Sequence, residues 1–152
     1  MIRFFTTAVS IFILAAFCRA QTPPASSAKK PVPPQAVSAV KSSPAYAELL
    51  LRQTERQSEL EEFLLDYTDE FPKVKEIKFE LDSLKKEMNK ITAVNASESG
   101  KLTLALGKLI VRKIELETDL WNLRRQYTDD EPQVKRAKRK IEIYERAIKE
   151  IL

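Results

Sequence analysis

A chain of 152 residues has room for one small domain, and 2 glycines beside 32% charged residues favour helix over sheet. There is no histidine, and the single cysteine is Cys18. This excludes the usual zinc sites and any nucleophile–histidine pair. The net charge of +4 hides a division: Ala45–Thr92 holds 8 basic and 12 acidic residues (−4), and Lys101–Leu152 holds 13 and 9 (+4). Halves of opposite sign are expected to attract one another across a packed interface.

Residues 1–20 read as a secretory signal: Arg3, an apolar run from Phe4 to Phe17, then Cys18-Arg19-Ala20 before Gln21. The run falls short of the ~20 residues that span a bilayer. Two alternatives to cleavage stand beside it. The leader is retained as an anchor, or Cys18 carries lipid, although Phe17 is large for the residue preceding a lipidated cysteine. Each makes the chain exported, periplasmic or envelope-associated, which argues against nucleic acid as a partner. Residues 21–44 carry Pro23, Pro24, Pro31, Pro33, Pro34 and Pro44 among Ala, Ser and Lys. That composition predicts a disordered tether.

After Pro44 the apolar spacing becomes helical. A loose first stripe runs through Tyr46, Leu49, Gln53, Arg56, Leu60, Phe63 and Tyr67. The second is regular, through Val74, Ile77, Leu81, Leu84, Met88 and Ile91. Residues 93–100 form a loop in which Ser97 or Ser99 is placed to cap the next helix, and Asn95-Ala96-Ser97 reads as plain loop rather than a glycosylation site. A third stripe follows through Leu102, Leu106, Leu109, Lys113, Leu116, Leu120, Leu123 and Tyr127. The fourth runs through Val134, Ala137, Ile141, Tyr144, Ile148 and Ile151. Spacings of three and four are those of a coiled-coil seam. Trp121 lies beside it, either widening the core or marking an exposed contact.

One stretch occurs twice at an offset of 60 residues: YTDEFPKVK from Tyr67 and YTDDEPQVK from Tyr127. The expected fold is therefore all-α, two tandem helix–joint–helix repeats over residues 45–92 and 101–152. Pro72 and Pro132 belong at a break or in a first helical turn. Thr68 and Thr128 are placed to cap new helices, with Asp69 and Asp129 suiting the positive end of the dipole. This favours helical hairpins. The unbroken heptad phase from Tyr67 to Val74 and from Tyr127 to Val134 leaves proline-kinked long helices as the alternative. Tyr67 and Tyr127 fall on the seam and read as core.

The paired carboxylates of the joints, Asp69/Glu70 and Asp129/Asp130/Glu131, read as helix-start charges, not as acid–base or cation sites. No catalytic residue, cofactor or metal ligand is assigned. The run Lys135, Arg136, Lys138, Arg139 and Lys140 is a basic patch facing the acidic half, lipid headgroups or an acidic glycan.

Tyr67, Thr68, Pro72 and Val74, and again Tyr127, Thr128, Pro132 and Val134, form a Tyr-Thr-x-x-His-Pro-x-Val pattern. It resembles the periplasmic coiled-coil region of polysaccharide co-polymerases, the chain-length determinant family. Phe71 and Glu131 stand in place of the histidine, and neither a kinase domain nor a C-terminal transmembrane helix is present. The resemblance implies a similar helical module and a link to polysaccharide export. The composition itself points to a non-catalytic exported protein that binds or scaffolds in the envelope, by self-association or with another helical protein. The alternative is an accessory of exopolysaccharide chain-length control.

Overall fold

The computed structural model describes residues 34–152; the leader, Cys18 and the expected tether up to residue 33 lie outside the described residues. The chain is all-α, with no strand among the described residues. Its helices are α1 (Pro34–Lys41), α2 (Pro44–Asp66), α3 (Pro72–Thr92), α4 (Leu104–Arg124) and α5 (Pro132–Ile151), with a 3-10 segment at Ala96–Lys101. Residues 34–41 of the expected tether are thus helix. Pro34 opens α1 at a position where its missing N–H costs nothing, and Val40 is 1% exposed within the main core.

The helices pack as two hairpins, α2 with α3 and α4 with α5, and α4 touches α2, α3 and α5. The chain folds back at each proline, so the hairpin alternative holds over the kinked long helix. Starts recur at the sequence offset: Pro44 and Leu104 open α2 and α4, Pro72 and Pro132 open α3 and α5. Ser43 and Thr103 cap the first pair, their side-chain oxygens accepting the N–H of Tyr46 and Leu106, each at 3.3 Å. Thr103, not Ser97 or Ser99, caps α4. Those two serines lie in the 3-10 segment.

The stripe of α3 is buried throughout, from Val74 to Ile91, each residue at 8% exposure or less. Leu84, Met88 and Ile91 join Leu49, Leu106, Ile110 and Ile114 in the main cluster. Val74, Ile77 and Leu81 join Leu60 near the first joint. Each such side chain contributes about 1.5–3 kcal/mol by leaving water. Helix α4 buries Leu106, Lys113 and Leu116 of its expected stripe, leaves Leu109, Leu120 and Leu123 partly exposed, and covers Gly107, Ile110, Ile114 and Thr118 besides. The cause is its place between the α2/α3 pair and α5.

Gly107 marks the closest approach of α4 to α2. A Cβ there would lie 2.9 Å from Glu48 Cβ, 3.0 Å from Ala45 Cα and 3.1 Å from the Ala45 carbonyl oxygen. Alanine gains up to ~1 kcal/mol over glycine within a helix, whereas crowding a packed backbone costs about 1–3 kcal/mol. Gly107→Ala is therefore expected to lower the urea midpoint despite its better propensity. Gly100→Ala, with nothing within 4 Å of its Cβ, leaves the midpoint unchanged.

Candidate functional site

The two joints share one construction. Tyr67 donates its N–H to the Phe63 carbonyl at 2.9 Å and closes α2; Tyr127 makes the matching bond to the Leu123 carbonyl at 2.9 Å, just past Arg125, which closes α4. A turn follows, the N–H of Phe71 reaching the Thr68 carbonyl at 3.0 Å and that of Glu131 the Thr128 carbonyl at 3.2 Å. Phe71 and Glu131 are the residues preceding the first helical turn, without a side-chain cap, and Pro72 and Pro132 open the helices. The threonines thus act through their carbonyls in a turn, and neither caps a helix. The reason is position: the helix starts at proline, four residues on, beyond the hydroxyl's reach.

The acidic residues of the joints pair with lysines further into the helices. Asp69 meets Lys78 at 2.8 Å and Asp129 meets Lys138 at 3.0 Å; Glu70 meets Lys75, and Asp130 meets Lys135 at 3.3 Å. The same two pairings thus recur at the same offset. Arg124, 3.0 Å from Asp129, adds a third partner at the second joint, and with Lys138 it holds the Asp129 carboxyl below the usual carboxylate range. Val74 and Val134 are fully buried, while Tyr67 and Tyr127 are 46% and 42% exposed. The expected core tyrosines are corrected here: at Tyr67 the backbone is extended (φ −128°, ψ 154°), which carries the ring off the helical stripe. Tyr67 instead stacks on Phe71 with ring centroids 4.1 Å apart.

Of the basic run, Lys135 and Lys138 are engaged by their own joint. Arg136, Arg139 and Lys140 are exposed and have no carboxylate partner among the described residues. None of the run's cations pairs with a carboxylate of the acidic half among the described residues. Among the buried pairs, Lys113 with Glu87 joins a cation of the second half to a carboxylate of the first, whereas Glu80 and its two arginines lie within the first half. Glu80, 5% exposed, accepts from Arg52 Nε at 2.9 Å and Arg56 Nε at 3.1 Å. Arg52 Nη2 continues to Glu115 on α4 at 3.0 Å. Lys113, 7% exposed on the α4 stripe, donates to Glu87 of α3 at 2.7 Å and lies 3.3 Å from Glu117.

Lys113 also floors a cavity of about 450 Å³ over α4, between α3 and α5. Phe79 and Trp121 stack on its wall with centroids 5.4 Å apart, and the Arg125 guanidinium lies 5.0 Å from the Trp121 ring centre. Trp121 is half-buried between the hairpins, so it both widens the core and borders solvent. Burial pushes the Glu87 carboxyl up, but Lys113 and Lys90 more than reverse this and hold it below its ordinary value. Burial likewise pushes Lys113 down, and Glu87 and Glu117 hold it above. A carboxylate and an ammonium both fixed in their charged forms are poor proton shuttles near pH 7. Among the described residues no group of three or more Asp, Glu, Cys or His is placed to hold a metal ion, and no helix is long and apolar enough to cross a membrane.

The pair has a pH signature. Its carboxyl is depressed, so that share of stability is present above the unfolded value near pH 4.3 and is lost as pH falls through the folded one. The raised Lys113 contributes fully below about pH 10 and less as pH rises through its folded value. Urea midpoints are expected to hold a plateau between about pH 5 and 9 and fall on both sides. Glu87→Gln should lower the plateau and flatten the acid limb.

Comparison of the chain with known protein families, with curated proteins and with solved structures gives no match.

Proposed function

We propose that the chain is an exported, non-catalytic helical module that binds or scaffolds protein in the cell envelope through its helix faces. The observation that carries this reading is the outer face of α2. There Leu50, Leu51, Leu64 and Leu65 are exposed, Leu65 at 84% and Leu51 at 57%, on a helix otherwise rich in charge. They form two exposed apolar pairs along the helix, and exposed apolar surface held in water at such a cost marks contact sites. The fixed charges of Lys113 and Glu87 support binding over proton transfer. A photo-reactive amino acid at Leu51 or Leu65, introduced in living cells, is expected to yield protein adducts in the envelope fraction. A chain that stays in the cytosol, or that gives no protein adduct from either residue, would sink the reading.

A second reading, an accessory of exopolysaccharide chain-length control or export, is favoured by the joint resemblance and by Arg136, Arg139 and Lys140. These cations suit an acidic glycan or lipid headgroups. Deleting the gene should then shift the length distribution of the surface polysaccharide. An unchanged distribution would dismiss it.

A further inference from the structure

We infer that the chain assembles head to tail with further copies of itself, the outer face of α2 in one copy docking on the α4/α5 hairpin of the next as α4 docks on α2/α3 within the chain. The inference rests on the helix-face reading above and names the partner. It comes from applying the 60-residue offset to the contacts that hold the two hairpins together. The face by which α4 meets the first hairpin includes Gly107, Ile110 and Ile114, all buried, with Val111 packed on the same cluster. The matching residues of α2, Ala47, Leu50, Thr54 and Leu51, are all exposed. The receiving surface is matched too: Ala45, 0% exposed beneath Gly107, corresponds to exposed Ala105. One copy therefore presents an unused docking helix at one end and an unused receiving hairpin at the other.

The charges agree with this placement. Within the chain Arg52 meets Glu115 at 3.0 Å; between copies the offset sets Arg112 against Glu55. The hydrogen bond from Asn122 to Glu76, 2.7 Å, becomes Arg136 facing Glu62. The Phe79–Trp121 stack becomes Arg139 facing Glu61. These three translated pairs are of opposite sign, while the Lys113–Glu87 pair becomes uncharged Gln53 facing Ala147. Arg136 and Arg139 are among the α5 cations that the chain's own joint leaves over. A two-fold dimer through either face would instead set like charges together: Glu55, Glu61 and Glu62 at α2, or Arg136 and Arg139 at α5. Isologous pairing is thereby disfavoured and a heterologous, open-ended or ring-closing contact preferred.

The test uses the full chain in sedimentation velocity and light scattering at low salt. The mass is expected to grow with concentration beyond twice the 17.4 kDa monomer and to fall as salt screens the pairs. Reversing α2 (Glu55→Arg, Glu61→Arg, Glu62→Arg) or the receiving face (Arg112→Glu, Arg136→Glu, Arg139→Glu) should weaken association at least tenfold, with helicity by circular dichroism unchanged. Mixing the two variants should restore it, because each then offers the other a complementary face. A wild-type monomer at all concentrations, a dimer indifferent to both reversals, or a mixture that stays apart would each overturn the inference. Adducts to a different envelope protein from Leu51, with the chain monomeric, would remove self-assembly alone and keep the helix-face reading.

Discussion

Replacing Glu80 by alanine is expected to lower the unfolding free energy by about 3–5 kcal/mol, the range for removing one partner of a buried ion pair. The Glu80 side chain is 7% exposed and its carboxylate is shared by Arg52 and Arg56, whose side chains are 20% and 19% exposed. Without it, two guanidinium groups lose the acceptor that justified taking them out of water. Each keeps a second carboxylate, Glu115 for Arg52 and Glu59 for Arg56, which places the loss toward the lower end of that range. Glu80→Gln retains the shape and one acceptor oxygen and should cost about half as much, near the value of a hydrogen bond to a charged group. Urea unfolding followed by far-ultraviolet circular dichroism measures both. A loss below about 1 kcal/mol for the alanine variant would mean that water already screens the arginines.

The second large effect belongs to Lys113 and Glu87, and its form is a cycle. Lys113→Met strands Glu87 with only Lys90, whose side chain is 57% exposed, and is expected to cost about 3 kcal/mol or more. Glu87→Leu strands Lys113, with Glu117 at 3.3 Å as its remaining partner, at a similar cost. The double variant leaves no uncompensated charge and should return to within about 1 kcal/mol of the parent, a coupling of several kcal/mol between the sites. Strictly additive losses would show that each side chain acts through packing alone. The cycle thus separates charge from volume at the cavity floor.

Much of the helical framework was legible because α3 obeys its pattern: Val74, Ile77, Leu81, Leu84, Met88 and Ile91 are one stripe and one buried face. The pattern misreads α4, since a helix with neighbours on three sides buries residues such as Ile110 and Ile114 that fall off the stripe through Leu109 and Leu120. It also misplaces Tyr67 and Tyr127, because heptad spacing carries through a joint where the backbone does not. The turn at Thr68 and Thr128 needs only carbonyls, which every residue has, so its hydroxyl signature misled. Helix α1 was hidden by the prolines around it, one of which, Pro34, opens it. The pairing of Glu80 with two arginines and of Glu87 with Lys113 left half a trace: Arg56 and Lys113 fall on their stripes, while Arg52, Glu80 and Glu87 do not. Stripe reading leaves Glu80 and Glu87 on the outside, whereas both are inside because they have partners.

The wall formed by Phe79 and Trp121 has a consequence for observing the molecule. Trp121 is the single tryptophan of the chain, and its stacking partner comes from the other hairpin. Indole emission therefore reports whether the hairpins are seated on one another, while the amide bands report only whether helices exist. If the two signals melt together, the hairpins form one cooperative unit. If emission shifts first, they part as intact pieces, and the α3–α4 contact is where the molecule opens.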